Sequence, residues 1–296
     1  MKVGVVSIVG RPNAGKSTLL NSIIKEKVAI TSNKPQTTRN NIQGIYNDED
    51  SQIIFVDTPG IHKPKNKLGK YLNRESYSSL EGVDLVLFMI DSSAPFGKGD
   101  EFVLDKIKEE NINTFLILNK VDKIKKDELF NMILEYKDKY DFKEVIPISA
   151  LKEKNIDELL KTIKEYLDEG ERIYPEDYYT DKSIKFLVSE LIREKVLRKT
   201  REEVPHAVTV VIENFEEKKE SILINACIIV ERDGIKKILV GHNGEMIKEI
   251  GIDARKDIEE LVGKNVYLDL FVKTVNNWRD RDKYLVEFGF DENNFE

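Results

Sequence analysis

Gly10-Arg11-Pro12-Asn13-Ala14-Gly15-Lys16-Ser17-Thr18 follows directly on the apolar run Val3-Gly4-Val5-Val6-Ser7-Ile8-Val9. The spacing is that of the phosphate-binding loop G-x-x-x-x-G-K-[ST]. There a glycine-rich turn between strand and helix aims backbone N–H groups at phosphate oxygens, and the helix adds its positive end. On this reading Gly10, Asn13, Ala14, Gly15, Lys16, Ser17 and Thr18 hold the phosphates of a nucleoside triphosphate. Lys16 reaches the β and γ phosphates, and the Ser17 hydroxyl is offered to Mg²⁺. An ordinary Gly-containing strand-to-helix turn is the bland alternative; the complete spacing and the preceding strand argue against it.

Working outward, a helix is expected from Ser17 to Lys27, then a polar loop from Ala29 to Asn41 that a ligand can order. Thr37 and Thr38 are the candidates in it for closing onto Mg²⁺ and sensing the γ phosphate, with Thr38 favoured. Strands follow near Gly44 to Asn47 and Gln52 to Val56, joined by the polar turn Asp48-Glu49-Asp50-Ser51. The second strand delivers Asp57-Thr58-Pro59-Gly60. Asp57 is placed to hold the metal's hydration shell, and Gly60 to bring a backbone N–H up to the γ phosphate without a Cβ in the way. Ile61 to Leu80 would be the second mobile switch. A strand from Asp84 to Ile90, a helix from Gly99 to Glu110 and a strand from Thr114 to Leu118 lead into Asn119-Lys120-Val121-Asp122.

That element decides the base. The Asp122 carboxylate accepts from both N1–H and the exocyclic amine of guanine, whereas adenine offers no such donor pair. Asn119 and Lys120 tie the base loop to the phosphate loop. A strand from Val145 to Ile148 then brings Ser149 and Ala150, whose backbone N–H faces the guanine O6, and a helix from Ile156 to Leu167 closes the domain. The nucleotide is read as GTP and its product as GDP.

The chain has 296 residues, 40% hydrophobic and 34% charged, enough for two globular domains. Domain boundaries are placed at residues 1–171, a Pro-, acid- and Tyr-rich linker at 172–182, and a second domain at 183–296. The single cysteine, Cys227, lies in an apolar run and permits no disulfide, as a reducing cytoplasm requires. The N-terminal apolar run is short and leads into the phosphate loop, so it reads as a core strand and not as a signal peptide. No stretch has the length of a membrane span. A formal net charge of −7 excludes nucleic-acid binding by bulk charge, so any RNA contact is local.

From Ser183 the pattern is helix (Ile184 to Arg198), strand (Ala207 to Glu213), strand (Ser221 to Glu231), a short helix, Gly241-His242-Asn243-Gly244, a helix (Glu245 to Val262) and a strand (Val266 to Lys273). A G-x-x-G loop between two helices admits a nucleic-acid backbone close to helix N-terminal N–H groups, though alone it is equally an ordinary connection.

The five nucleotide elements, in this order, resemble a translation-factor-class, Ras-like GTPase: an α/β domain with a mostly parallel sheet. One departure matters: Ile61 stands where Ras-like switches place the glutamine that orients water, so intrinsic turnover should be slow. The catalytic set is then Lys16, Thr38, Gly60 and Asn13, the last as a candidate ligand for K⁺ beside the phosphates. V-G-H-N-G-E-M-I-K-E-I-G resembles the core of a type II KH domain, a smaller α+β unit, with Gly241, His242, Asn243, Gly244 and Lys248 as its RNA contacts. Both domains, the Y-P-E-D linker and the run from Phe271 to Asp280 are similar to the Era family of GTPases over nearly the whole chain.

The resemblance implies binding of the 3′ end of small-subunit (16S) ribosomal RNA through the KH domain, and a monomer is expected, although the sequence does not itself fix the oligomeric state. The resemblance also implies assistance to 30S subunit assembly, and peripheral association with the cytoplasmic membrane. Two features depart from the family. His242 and Asn243 replace the usual basic residue between the glycines, with Lys248 and Lys236 nearby. Asp181 to Glu296 also holds 20 Lys/Arg against 24 Asp/Glu. A local basic patch of Arg193, Lys195, Arg198 and Lys199 is therefore expected on the first KH helix, and Trp278 either stacks on a base or packs into the core. The competing reading is a GTP-gated module whose second domain docks a protein or a membrane without binding RNA. Hydrolysis should be slow and faster in K⁺ than in Na⁺ buffer; equal rates in the two remove the cation role from Asn13.

Overall fold

The computed structural model describes residues 1–61 and 63–290. The chain divides into two units, Met1–Lys63 with Leu72–Asp181, and Pro64–Tyr71 with Lys182–Glu296.

Six strands form the first unit's sheet: β1 (Lys2–Val9), β2 (Ile42–Asn47), β3 (Ser51–Asp57), β4 (Leu85–Asp91), β5 (Thr114–Asn119) and β6 (Glu144–Pro147). Their order is β2-β3-β1-β4-β5-β6, parallel throughout except for β2, which runs antiparallel to β3. Helices α1 (Lys16–Ile24), α2 (Lys67–Ser78), α3 (Lys98–Glu110), α4 (Lys126–Lys137) and α5 (Ile156–Tyr166) alternate with them. Parallel strands covered on both faces need continuous apolar sequence. Accordingly β3 and β5 are buried at every position and β4 at every position but the last. The carboxyl ends of such strands open on one edge, where Gly10, Gly60, Asp91 and Asn119 gather.

Helix α4 had no counterpart in the sequence reading. It buries only Tyr136 fully and leaves Phe130 and Leu134 exposed, so its apolar periodicity is weak.

Residues 172–181 cover the edge of β2. Fully buried Gln52 accepts at Oε1 from the backbone N–H of Ile173 (2.7 Å) and Tyr174 (2.9 Å) and donates from Nε2 to the Tyr174 carbonyl (2.9 Å). Ile45 N–H donates to the Tyr179 carbonyl (3.0 Å), and Gln43 N–H to the Asp181 carboxylate (2.9 Å). An edge strand with free backbone groups is thereby closed.

The second unit has the order α6 (Ile184–Lys199), β7 (Val208–Glu217), β8 (Ser221–Val230), α7 (Asp233–Val240), α8 (Glu245–Val262), β9 (Asn265–Thr274) and a short α9 (Asp282–Glu287). Its sheet is β7-β8-β9, antiparallel then parallel. Alternate residues of β8 (Ile222, Ile224, Ala226, Ile228, Val230) share one core with Ile250, Ala254 and Ile258, spaced by four along α8.

The β2–β3 turn is held by one carboxylate. Asp48 Oδ1 accepts from Ser51 N–H (2.8 Å) and Ser51 Oγ (2.7 Å), and Oδ2 accepts from Tyr46 OH (2.9 Å) and Lys164 Nζ (2.5 Å). Burial pushes this carboxyl up, but the Lys164, Ser51 and Tyr46 bonds outweigh it and hold the group well below the carboxylate range. Its contribution is therefore fully present above the unfolded pKa of about 4 and is lost as pH falls below that. Asp48→Asn should cost about 1–3 kcal/mol at neutral pH. In thermal melts from pH 7 to pH 3 the gap to the parent should narrow in acid, and a constant gap contradicts this assignment.

Candidate functional site

Two glycines shape the loop between β1 and α1. Gly15 sits at φ 106, and a Cβ there would lie 2.3 Å from Asn119 Nδ2; a Cβ on Gly10 would lie 2.2 Å from the Met89 carbonyl oxygen. Lys16 is buried and donates to the carbonyls of Gly10 and Arg11, both at 3.2 Å. Burial pulls its ammonium down to about 8, against the opposing charge of Asp57. A concavity lined by Asn13, Lys16, Ser17, Thr18, Thr38 and Gly60 lies over the loop.

On its floor Ser17 Oγ donates to Asp57 Oδ2 (2.6 Å) and lies 2.8 Å from Thr38 Oγ1, which also donates to Asp57 Oδ2 (3.1 Å). Thr37 also lines the concavity but its hydroxyl donates to the Lys34 carbonyl (2.7 Å), so Thr38 is the threonine that joins Ser17 and Asp57. Asp57 is fully buried and its Oδ1 has no hydrogen-bond partner. Burial raises its pKa, although Lys16, Ser17 and Thr38 pull the other way. Two hydroxyl oxygens beside an under-satisfied buried carboxylate suit a divalent cation. Gly60 packs against the phosphate loop, where a Cβ would come 2.6 Å from Pro12 N. Ile61 is buried among Val9, Leu80 and Phe88, so no side chain from that position reaches the concavity. Asn13, at φ 65, donates from Nδ2 to the Asn33 carbonyl (3.2 Å).

The base end lies outside that concavity and is joined to it through β5. Asn119 donates to the Ala14 carbonyl (2.7 Å) and accepts from Ala150 N–H (3.0 Å). Lys120 donates to the Asn13 carbonyl (2.7 Å). Buried Ser149 donates to Asp122 Oδ1 (2.5 Å), and this bond holds the exposed Asp122 carboxyl below its usual value. All the nucleotide-loop residues named from sequence thus converge on one edge of the sheet.

In the second unit Gly241 (φ 73) and Gly244 (φ 80) bracket exposed His242 and Asn243 between α7 and α8, with Lys248 exposed one turn further. A Cβ on Gly241 would meet Met246 N at 2.9 Å. Beside this loop α8 and β9 flank a groove of about 390 Å³ lined by Ile247, Lys248, Ile252, Arg255, Tyr267 and Leu270. Sequence reasoning missed Ile252, Arg255 and Tyr267. Large apolar side chains left 42% and 66% exposed at Ile252 and Tyr267 were the available signal.

One expectation fails here, and the two options for Trp278 are separated. The basic patch on α6 is not free: Arg193 is 1% exposed on its side chain and pairs with Glu190 (2.6 Å). Lys195 bonds to Asp257 and Glu194, Arg198 to Glu194 (3.0 Å), and Lys199 to Glu249 (3.1 Å) and Asp253 (2.9 Å). Acids on α6 and α8 occupy the cations. Trp278 is fully buried, donates Nε1–H to the Ala207 carbonyl (3.2 Å) and stacks with Phe290, so it packs and does not stack on a base. No helix among the described residues is long and apolar enough to cross a membrane.

Fold and sites together define a phosphate-loop GTPase domain joined to a KH domain. The family described as 50S ribosome-binding GTPase matches residues 5–120, and the KH domain family matches residues 203–279. A variant of Aquifex aeolicus Era bound to GDP and AlF4⁻ is 43% identical, with 98% of this chain and 99% of that chain covered and a TM-score of 0.95. Era in complex with MgGDPNP and nucleotides 1506–1542 of 16S ribosomal RNA is likewise 43% identical over 98% and 99% of the two chains, with a TM-score of 0.96. The chain belongs to the Era family of GTPases.

Because Lys195 bonds to half-buried Asp257 and to buried Glu194, which keeps Arg198 as a partner, Lys195→Met should lower the stability of this unit by about 1–3 kcal/mol. Below the unfolding temperature RNA affinity should stay within twofold of the parent, about 0.4 kcal/mol. A selective loss of RNA binding at unchanged stability would restore the basic patch as a contact surface.

Proposed function

We propose that this protein hydrolyses GTP with Mg²⁺ and, through its KH domain, binds the 3′ end of 16S ribosomal RNA, assisting assembly of the 30S subunit. The observation that carries the GTPase reading is the joint convergence of Ser17 and Thr38 on buried Asp57 and of Asn119 on both the Ala14 and Ala150 loops. Lys16, drawn down to about 8 with only carbonyls and Asp57 nearby, gains a strong partner in a triphosphate. Ser17, Thr38 and Asp57 are the residues that would hold Mg²⁺, which when bound supplies neutralisation of phosphate charge.

In the attack of water on the γ phosphate, Lys16 and the Gly60 N–H stabilise charge gathering on its oxygens. With Ile61 in the core, water is aligned by backbone and by the Thr38 loop, which supports slow turnover. Asn13 engages Asn33 through its amide nitrogen, and its oxygen is the atom suited to K⁺. The Ser149 bond keeps Asp122 ionised, the form that accepts two guanine donors.

For RNA, the relative carrying a 16S segment matches over nearly the whole chain, whereas the description mentioning the 50S subunit rests on residues 5–120. The former supports the small subunit. The glycine-flanked loop takes phosphates, and Ile252, Tyr267 and Lys248 face a splayed single strand in the groove. Cytoplasmic location with peripheral membrane association rests on family resemblance alone, and a monomer is the expected state.

The test is binding of the full chain to a single-stranded copy of the 16S 3′ end against a scrambled strand, with Gly241→Asp/Gly244→Asp as the variant. Selective binding should fall at least tenfold in the variant, about 1.4 kcal/mol, with GTP hydrolysis in the absence of RNA unchanged. Equal or no binding to both strands would favour the protein- or membrane-docking reading.

A further inference from the structure

Asp91, the last residue of β4, belongs to none of the recognised nucleotide motifs. Its Oδ1 accepts from Ser93 N–H (3.0 Å) and Ser93 Oγ (2.6 Å), a turn that fixes the plane of the carboxylate. Its Oδ2 accepts from Lys120 Nζ at 2.5 Å, with side chains 27% and 23% exposed. The same ammonium donates to the Asn13 carbonyl at 2.7 Å.

Lys120 itself is held at φ 66, a left-handed conformation that strains a residue with a Cβ, so its side chain needs an anchor to stay on the phosphate loop. The sheet provides one. Asp91 lies opposite Asn119 in the β4–β5 register, and Ser92 N–H donates to the Asn119 carbonyl (2.9 Å), so the end of β4 and the base-reading loop move as one piece.

We infer that Asp91 is a positioning residue for the guanine nucleotide: it clamps Lys120 between the base loop and the Asn13 carbonyl, setting the spacing between the phosphate and base subsites. The inference rests on the guanine-nucleotide reading above. Burial pushes the Asp91 carboxyl up, and Lys120 and Ser93 more than offset this, so it is ionised when it clamps. A charged hydrogen bond at this exposure contributes more than a surface ion pair, because one partner is already oriented by Ser93.

The experiment measures release of fluorescent GDP by the full chain carrying D91N, K120M or both; D91N keeps an Oδ1 acceptor for Ser93. D91N should accelerate release about tenfold, the size expected for losing one charge-assisted hydrogen bond. It should leave the melting temperature without nucleotide, and kcat at saturating GTP, near the parent's while raising KM. Because Asp91 acts through Lys120, D91N added to K120M should speed release no further. Unchanged release in D91N, or effects of the two changes that simply multiply, overturns the positioning role. A parent chain that binds no labelled GDP overturns the guanine reading and this inference with it. As a second variant, D91S should reproduce the faster release; a parent-like D91S overturns the clamp.

Discussion

The nucleotide site depends on how closely the phosphate loop can approach β5. Asn119 spends its whole carboxamide on this, donating to Ala14 and accepting from Ala150, and the approach is possible only because Gly15 has no side chain to strike its nitrogen. Strands β1 and β5 are separated by β4, so the loops leaving them start about 10 Å apart. Gly15, in the left-handed region, turns the phosphate loop back over β4 to close that gap. Everything that reads the base then inherits its position from Asn119, including Lys120 beside it and the Ser149–Asp122 pair on the facing loop.

The KH unit solves a different problem. Its charge balance is acidic, and the cations of α6 are spent on Glu190, Glu194, Glu249, Asp253 and Asp257. These pairs tie α6 to α8 and neutralise its cations, so they fix how α6 lies on α8 rather than what the surface attracts. What remains for a ligand is shape: two glycines, an apolar groove and a few free lysines.

The nucleotide edge was legible because each of its parts is a short contiguous motif whose chemistry demands particular residues. The strands of the first unit were legible because burial on both faces leaves continuous apolar runs such as Leu85 to Ile90. Nothing in the sequence gives a physical reason to favour Thr38 over Thr37, since both are hydroxyls in one polar loop; what distinguishes them is their partners in three dimensions. Helix α4 escaped because it packs mainly through partly buried residues, and the α6 patch misled because Lys195 and Lys199 pair across to α8, which leaves no trace in composition, although the pairs of Arg193 and Arg198 lie within α6 at i,i+3 and i,i+4. The anchorage of the connector had no local signal either: the residue that binds it, Gln52, lies more than a hundred positions away in sequence. Asp91 carried no signal at all, as an aspartate ending a strand is commonplace.

The arrangement around Asp57 explains how a switch can operate without a water-orienting side chain. Ser17 and Thr38 both satisfy one oxygen of a carboxylate that burial disfavours, so the Thr38 loop is drawn down onto the phosphate loop by the same atoms that suit a divalent cation. Gly60 is fitted against Pro12 with no room for a Cβ, and Ile61 locks the next position into the apolar core. Any displacement of the Gly60 peptide must therefore move either the phosphate loop or that core. The two switches meet the γ phosphate through backbone and hydroxyl groups whose freedom is small.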